Sequence, residues 1–586
     1  MYKNSIGHWK WLFVVSWLIT TNSIAEIRGI VVGINQYPKI PNENLEGAVN
    51  DALDIVDALK RSGAKEVKIL LDEQATRTAI IDTWQHMLKK SKSGDVLLFS
   101  FAGHGIQLPE LVRGTEIDGM DEALALTDFQ LSPLNKEFLR DDDIAAFLKQ
   151  AADSAIKVLF LADACHSGTM TRGIDTKVRN FKFRALPAIT TRGLADTVSD
   201  AAADIPANKI AANIEVEKLP GISYVGAVQD FQLAPETIID GNPRGALSWA
   251  AAKAIRGNGD VNHDGIITDT EFMNYVRDTV VIRMEGQQQP SLPQKHGIPC
   301  TPLLTFNSIS HSSDIKSDTI ITSSSLLPIA IINLVIPAPD LLAQLKGTRL
   351  VTDNSAILTW NTQRGEILGT LGDVVANVHI KPCPIPSRTR GVGRQKPTTT
   401  LATLLPLPVI KSIESKECAS SKKDLEVELP RVQLVVDKFT VVETLRSYAE
   451  RQPMTINIEP EDKIFKDKEP MSIIVSGLNY SYFTLFNLSS DGTVNFLYPL
   501  RTDGYNDPLQ IPSEKPYRLD LTVQPPFGAD HFVALASAVE LTPLHLTLTQ
   551  LNGKAEAANL LKTLKTQLAN ADIQIGIRGI YTEITQ

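Results

Sequence analysis

SFAGHG at Ser100–Gly105 and FLADACHSG at Phe160–Gly168 each close an apolar run that reads as a buried parallel strand. The first run places His104 at the carboxyl end of its strand, and the second places Cys165 there. Open α/β sheets gather their reactive groups at that edge. A thiol and an imidazole delivered there from neighbouring strands are the parts of a cysteine nucleophile with its general base. The flanking glycines mark both sites as tight turns with close backbone approach. A buried free Cys and a hydrogen-bonded surface His would need no such turns.

Outward from these two segments, short β-rich runs at Ile27–Ile34, Val67–Leu71, Val96–Phe101, Lys157–Leu161 and Ser223–Val228 alternate with helical stretches at Gly47–Arg61, Thr76–Lys90 and Asp142–Gln150. Alternation of this kind predicts an α/β domain over residues 26–300, a mainly parallel sheet covered by helices on both faces. An insertion, Thr169–Pro220, separates Cys165 from the strand at Ser223. Its first half is basic, with Arg172, Lys177, Arg179, Lys182, Arg184 and Arg192. A loop of that length is either functional or disordered. Residues 301–344 begin with a Ser/Thr-rich linker, and residues 381–425 form a second linker rich in Pro and basic residues. Between them, residues 345–380 predict a small β-rich segment. Residues 426–586 predict a β-rich accessory domain, with a meander from Ser472 that turns at Asp491–Gly492.

The chain has 586 residues, 43% of them hydrophobic and 21% charged, with a formal net charge of −9. Its length implies several domains. No basic face dominates, which argues against a nucleic-acid partner. At the amino terminus, Lys3, His8 and Lys10 precede the apolar run Trp11–Ile19, and Ser23 and Ala25 supply the small residues of a cleavage site. Residues 1–25 are therefore expected to be a signal peptide, with a single membrane anchor as the alternative. The expected location is periplasmic or secreted, with no stable membrane span after cleavage. If Cys165 is the nucleophile, Cys300, Cys383 and Cys418 are left. An oxidising compartment would permit one disulfide among them, and Cys383 and Cys418 are the nearest pair in sequence.

A thiol becomes a useful nucleophile when an imidazolium or backbone dipoles stabilise its thiolate. His104 supplies the imidazole, and the N–H groups of Gly105 and Cys165 lie on the same edge, where they would form an oxyanion hole. Together, SFAGHG, ADACHSG and IDGMDEAL (Ile117–Leu124) resemble the caspase superfamily, specifically metacaspases and their bacterial caspase-like relatives. VGINQY (Val32–Tyr37), AVNDA (Ala48–Ala52), AVQDFQLAPE (Ala227–Glu236) and QQQPSLP (Gln287–Pro293) extend the resemblance over the first domain. The resemblance implies a caspase-like fold, with His104 and Cys165 as the dyad. It also implies a specificity pocket lined by Asp51 and Asp163. Two carboxylates in a partly desolvated pocket favour an Arg or Lys side chain and reject Asp. Ala102 departs from the pattern, standing where several relatives carry Ser. The β-rich carboxyl-terminal half resembles an uncharacterised domain appended to bacterial caspase-like peptidases, and its partner is unknown.

Calcium enters twice. Many metacaspases are calcium-activated through acidic clusters, and the matching region here includes Asp118, Asp141, Asp142 and Asp143, although Arg172 stands where some relatives have a further acid. Independently, Asp260–Glu271 reads DVNHDGIITDTE, the pattern of an EF-hand loop. Asp260, Asn262 and Asp264 take its first three ligand positions, the Ile266 carbonyl and Thr268 the next two, and Glu271 the last, with Gly265 at the sharp turn. No organic cofactor is expected.

These readings converge on a cysteine-type endopeptidase that cleaves protein or peptide substrates after Arg or Lys, responds to calcium and processes itself within Thr169–Pro220. Two alternatives belong to other classes. One is a catalytically silent caspase-like scaffold acting through its β-rich half. The other is a calcium-binding envelope protein.

Overall fold

A computed structural model describes residues 25–109, 120–131, 133–164, 184, 186, 216–228, 234–291, 302–305, 326–332, 344–351, 356–362, 365–370, 374–378, 422–461, 464–501, 506–569 and 572–583. The expected signal peptide, Asp118, most of the basic insertion and all four cysteines, Cys165 among them, lie outside the described residues.

Five parallel strands form the first sheet: β1 (Ile27–Gly33), β2 (Glu66–Leu71), β3 (Val96–Ala102), β4 (Lys157–Asp163) and β5 (Ile222–Gly226). Their order is β2-β1-β3-β4-β5, so β3 and β4 are neighbours, with Ala102 beside Asp163 at their carboxyl ends. Successive residues along each strand face opposite sides. Leu98 and Leu159 join a core beneath one face, while Phe99 and Phe160 join the core on the other. Phe99, Phe160 and Tyr224 stack in a row across β3, β4 and β5, with ring centroids 5.0 and 5.4 Å apart. Both faces are thus buried, which is why these strands read as nearly continuous apolar runs.

The helices flanking the sheet are α1 (Ala48–Arg61), α2 (Arg77–Lys90), α3 (Asp141–Asp153), α4 (Ala246–Lys253) and α5 (Asp269–Arg283). Thr76 caps α2 by accepting from the Ala79 N–H. The acidic start of α3 suits the positive end of a helix dipole. α4 is short, eight residues. It gives way to a wide turn at Ala254–Asn258, where Gly257 has φ +117°.

The carboxyl-terminal half holds β sheets, as expected, and also a helix that the alternation did not announce. α6 (Lys422–Ala449) is 28 residues long and contains Pro430. Its first half packs Leu425, Val432, Val436 and Phe439 against a five-stranded sheet from residues 327–377. Its second half packs Val442 and Leu445 against a sheet that includes Tyr482–Leu488, Ala529–Ser537 and Ile573–Glu583. A helix buried on several sides shows little apolar periodicity, and its Val- and Thr-rich middle mimics a strand. The meander is present: Tyr482–Leu488 pairs antiparallel with Val494–Tyr498 across a turn in which Gly492 has φ +85°.

Candidate active site

His104 stands two residues beyond β3, and three contacts fix it. Its main-chain N–H donates to the Tyr37 hydroxyl at 2.9 Å, and the two rings lie 4.7 Å apart. Its Nε2 meets the Glu43 carbonyl oxygen at 2.6 Å. That contact places the proton on Nε2 and leaves Nδ1 as the basic nitrogen. Nδ1 is buried and has no hydrogen-bond partner among the described residues. Burial pushes the imidazole down to about 4, so the ring is neutral at ordinary pH. Asp163, two residues before Cys165, ends β4 beside β3.

Asp51 projects from the first turn of α1, and Asp163 lies at the adjoining end of β4; both are wholly buried. Between them lies Arg184, from the basic insertion, with none of its side chain exposed. Its Nη2 pairs with Asp51 and stands 3.1 Å from Glu236 Oε1. Its Nη1 stands 3.1 Å from Asp163 Oδ1 and donates to the Asp163 carbonyl at 3.2 Å. Burial pushes the Asp51 carboxyl up to about 8; Asp163 adds to the rise, while Arg184 and the Gly245 N–H oppose it. The Arg184 guanidinium is raised, the three carboxylates outweighing its burial. Gly245 forms the pocket wall and donates its N–H to both Asp51 oxygens, at 3.1 and 3.0 Å. A Cβ there would lie 2.3 Å from Asp163 Oδ2 and 2.6 Å from Arg184 Nη1.

The backbone of Arg184 is held as firmly as its side chain. The Gly105 N–H donates to the Arg184 carbonyl at 2.9 Å, and the Arg184 N–H donates to the Ala234 carbonyl at 3.1 Å. Leu186 N–H returns to the Gly105 carbonyl at 2.9 Å. A peptide carbonyl therefore rests on the expected oxyanion donor next to His104, with its own basic side chain in the acidic pocket.

A family model described as the metacaspase, peptidase C14 domain matches residues 27–173. This is a metacaspase-type peptidase domain. The chain is accordingly a cysteine peptidase, a hydrolase. Metacaspase-1B of Aspergillus oryzae is 28% identical over 301 residues, which is 46% of this chain and 68% of that protein. Metacaspase-2 of Trypanosoma brucei brucei is 31% identical over 164 residues, 26% of this chain and 45% of that protein. The chain thus spans well under the full length of these relatives. Among solved structures, a Geobacter sulfurreducens protein is 23% identical, covering 48% of this chain and 100% of that one with a TM-score of 0.35. Caspase-1 of Spodoptera frugiperda is 13% identical, covering 48% of this chain and 92% of that one with a TM-score of 0.30.

Several residues of the metacaspase domain acquire parts that sequence reasoning did not give them. Tyr37 and Glu236 lie within motifs quoted above for the resemblance, but only the fold shows what they touch. Glu43 acts through its main-chain carbonyl, which carries no signature in the sequence. Gly245 precedes a helix, and nothing local marks it as a pocket wall.

The acidic residues offered for calcium fall into two groups. Asp143 accepts from Arg77 Nη1 at 2.8 Å and from the Arg140 N–H at 3.2 Å. Burial, then Asp121, pushes Asp141 up to about 7. In the loop at Asp260–Glu271, Asp260 accepts from the Asp264 and Gly265 N–H groups at 3.1 and 2.9 Å. His263 and Gly265 take φ +60° and +82°, giving the sharp turn. Ile266–Thr268 is a short strand paired with Pro302–Thr305. Glu271 faces Thr268, accepting from its N–H and Oγ1 at 2.9 and 2.8 Å as a helix cap. The loop is already turned, and its carboxylate, amide and carbonyl oxygens suit a hard cation. Among the described residues, no group of three His, Cys, Asp or Glu side chains is gathered at metal-binding distance.

Proposed function

We propose that this peptidase cuts after Arg or Lys through His104 and Cys165, and that it cuts its own chain after Arg184. One observation carries the reading. Arg184 enters the pocket of Asp51 and Asp163 while its carbonyl rests on the Gly105 N–H. The Cys165 sulfur attacks that carbonyl carbon. The resulting oxyanion is held by the N–H groups of Gly105 and Cys165. His104 takes the thiol proton and passes it to the departing amine of Ala185, leaving an acyl-enzyme at Arg184. Water, activated by His104, then releases the carboxylate and restores the thiol.

The Asp260–Glu271 loop would bind calcium through Asp260, Asn262, Asp264, the Ile266 carbonyl, Thr268 and Glu271. Glu271 must leave Thr268 to do so. Export through the amino-terminal segment belongs to the same proposal and fits a calcium-rich exterior. Among the described residues, no helix is long and apolar enough to cross a membrane.

The test is to incubate the unaltered chain and Cys165→Ala in parallel and read new amino termini by mass spectrometry. A terminus at Ala185 in the unaltered chain alone is expected. Intact chains in both, from a preparation that still cleaves peptides, would remove self-cutting at Arg184.

A further inference from the structure

We propose that Glu236 is a specificity residue that makes the pocket choose Arg over Lys, an inference that rests on the cleavage reading above. Glu236 lies beyond the 27–173 region matched by the family model. It comes to the pocket from a third place in the fold, the segment after β5.

Its position does not depend on what fills the pocket. The N–H groups of Glu46 and Gly47 donate to its two carboxylate oxygens at 2.8 and 2.9 Å, just before α1 begins. A Cβ on Gly47 would lie 2.9 Å from Glu236 Oε1, so the backbone there approaches as closely as only glycine permits. The carboxylate is thus aimed by main chain on one side and left to meet a ligand on the other. It meets Arg184 Nη2 at 3.1 Å.

The acceptors are distributed over the fork of the guanidinium. Asp163 accepts from Nη1 through its carbonyl and sets a carboxylate oxygen at ion-pair distance from the same nitrogen, whereas Asp51 and Glu236 accept from Nη2. Gly245 leaves the room that Nη1 occupies. A lysine ammonium is a single nitrogen that ends near the guanidinium carbon. It cannot place hydrogens at both tips of the fork. Glu236, fixed by Glu46 and Gly47, would then stand buried beside an ammonium out of its reach. A site built to hydrogen-bond one group rejects the analogue that leaves its own polar atoms unpaired. Asp51 and Asp163 stand one at each tip, where a base of either kind is attracted; Glu236 adds a second, rigidly held acceptor at the Nη2 tip that only the fork reaches.

The experiment compares matched Arg and Lys reporter peptides on the self-processed enzyme and on its Glu236→Gln variant. The amide oxygen of Gln can still accept from the Glu46 and Gly47 N–H groups. The unaltered enzyme should prefer Arg by about tenfold or more in kcat/KM, the factor that one charge-assisted hydrogen bond supplies. Glu236→Gln should lower the Arg value about tenfold and leave the Lys value nearly unchanged, collapsing the ratio. An unchanged ratio in a variant that melts normally overturns the inference. If Glu236→Gln does not fold, Arg184→Lys in the otherwise unaltered chain decides instead. Self-cleavage at residue 184 should slow about tenfold, and equal rates overturn the proposal. An unaltered enzyme that cuts neither peptide overturns the cleavage reading itself, an outcome visible before any variant is compared.

Discussion

Among the described residues, the buried ionic knots at Arg184 and at Glu285 are built on opposite plans. At Arg184, one cation from the insertion meets three carboxylates that belong to the sheet edge and its surroundings. At Glu285, just past α5, a carboxylate of the first domain pairs with Arg446 of α6 and meets His531 Nε2 at 3.2 Å. The Tyr581 hydroxyl donates to Glu285 at 3.0 Å, and Glu443 joins Arg446 at 2.5 Å and Arg283 at 3.2 Å. The second knot is balanced, two arginines against two glutamates. The first carries an excess of negative charge once its arginine leaves. A balanced knot draws in no further charge and serves as a joint between the two halves. An unbalanced one attracts a replacement cation, which is what a binding pocket must do.

The widest separation of the two should come from the dyad. Cys165→Ala and His104→Ala should each lower peptide cleavage by about four orders of magnitude, with the melting of the carboxyl-terminal half unchanged by calorimetry. Near-normal turnover in either would take that residue out of the reaction. Next in size is the joint. Glu285→Ala leaves His531 without its acid and Arg446 with Glu443 alone, and should cost about 3–5 kcal/mol in denaturant unfolding. The Arg:Lys preference of the folded enzyme should stay as it was. A changed preference would mean that the joint also shapes the pocket.

Each region also holds one buried histidine that resists protonation. Burial pushes His104 down to about 4, and burial together with the Lys438 ammonium pushes His531 down to about 4. An unfolded chain protonates its histidines near the ordinary value of about 6.5. Between these limits the unfolded state binds the extra proton. Stability from each ring is therefore fully present above about pH 6.5 and is lost as pH falls through about 4. Each should contribute about 3 kcal/mol to acid unfolding. His531→Gln and His104→Gln should each remove part of the acid slope between pH 6.5 and 4, and a slope unchanged in both would place the acid sensitivity elsewhere. The smallest effect belongs to the calcium loop. Calcium should raise the melting temperature by about 2–4 °C, and Asp260→Ala should abolish that rise. A shift preserved in Asp260→Ala would move the metal to another site.

The sheet was legible because its strands are buried on both faces and its glycines punctuate the two reactive turns. Strand ends matched to within a residue or two. His104 was legible from its turn, since chemistry at the carboxyl end of β3 needs only local sequence. Asp51 and Asp163 came from resemblance, and the fold places both on one guanidinium. Glu236, 185 residues from Asp51 and 73 from Asp163 in sequence, was not legible as a neighbour of either. Arg184 was one of several equivalent bases in a basic insertion until backbone pairing with Gly105 and Ala234 singled it out. α6 was missed because it is clothed on several sides, and periodicity reports only a helix with one wet face.

The seating of Arg184 has a kinetic consequence. A ligand carried on the same chain competes at an effective concentration set by its tether, of the order of millimolar for a short flexible link. Diluting the enzyme does nothing to that competitor. For an uncut chain, any added Arg peptide would show a Michaelis constant inflated in proportion, however well the pocket suits it. Scission after Arg184 releases Ala185 but leaves the arginine joined to Cys165 through residues 166–183, so the pocket empties by the new carboxyl end swinging away and not by dilution, and an added peptide still competes with a tethered arginine.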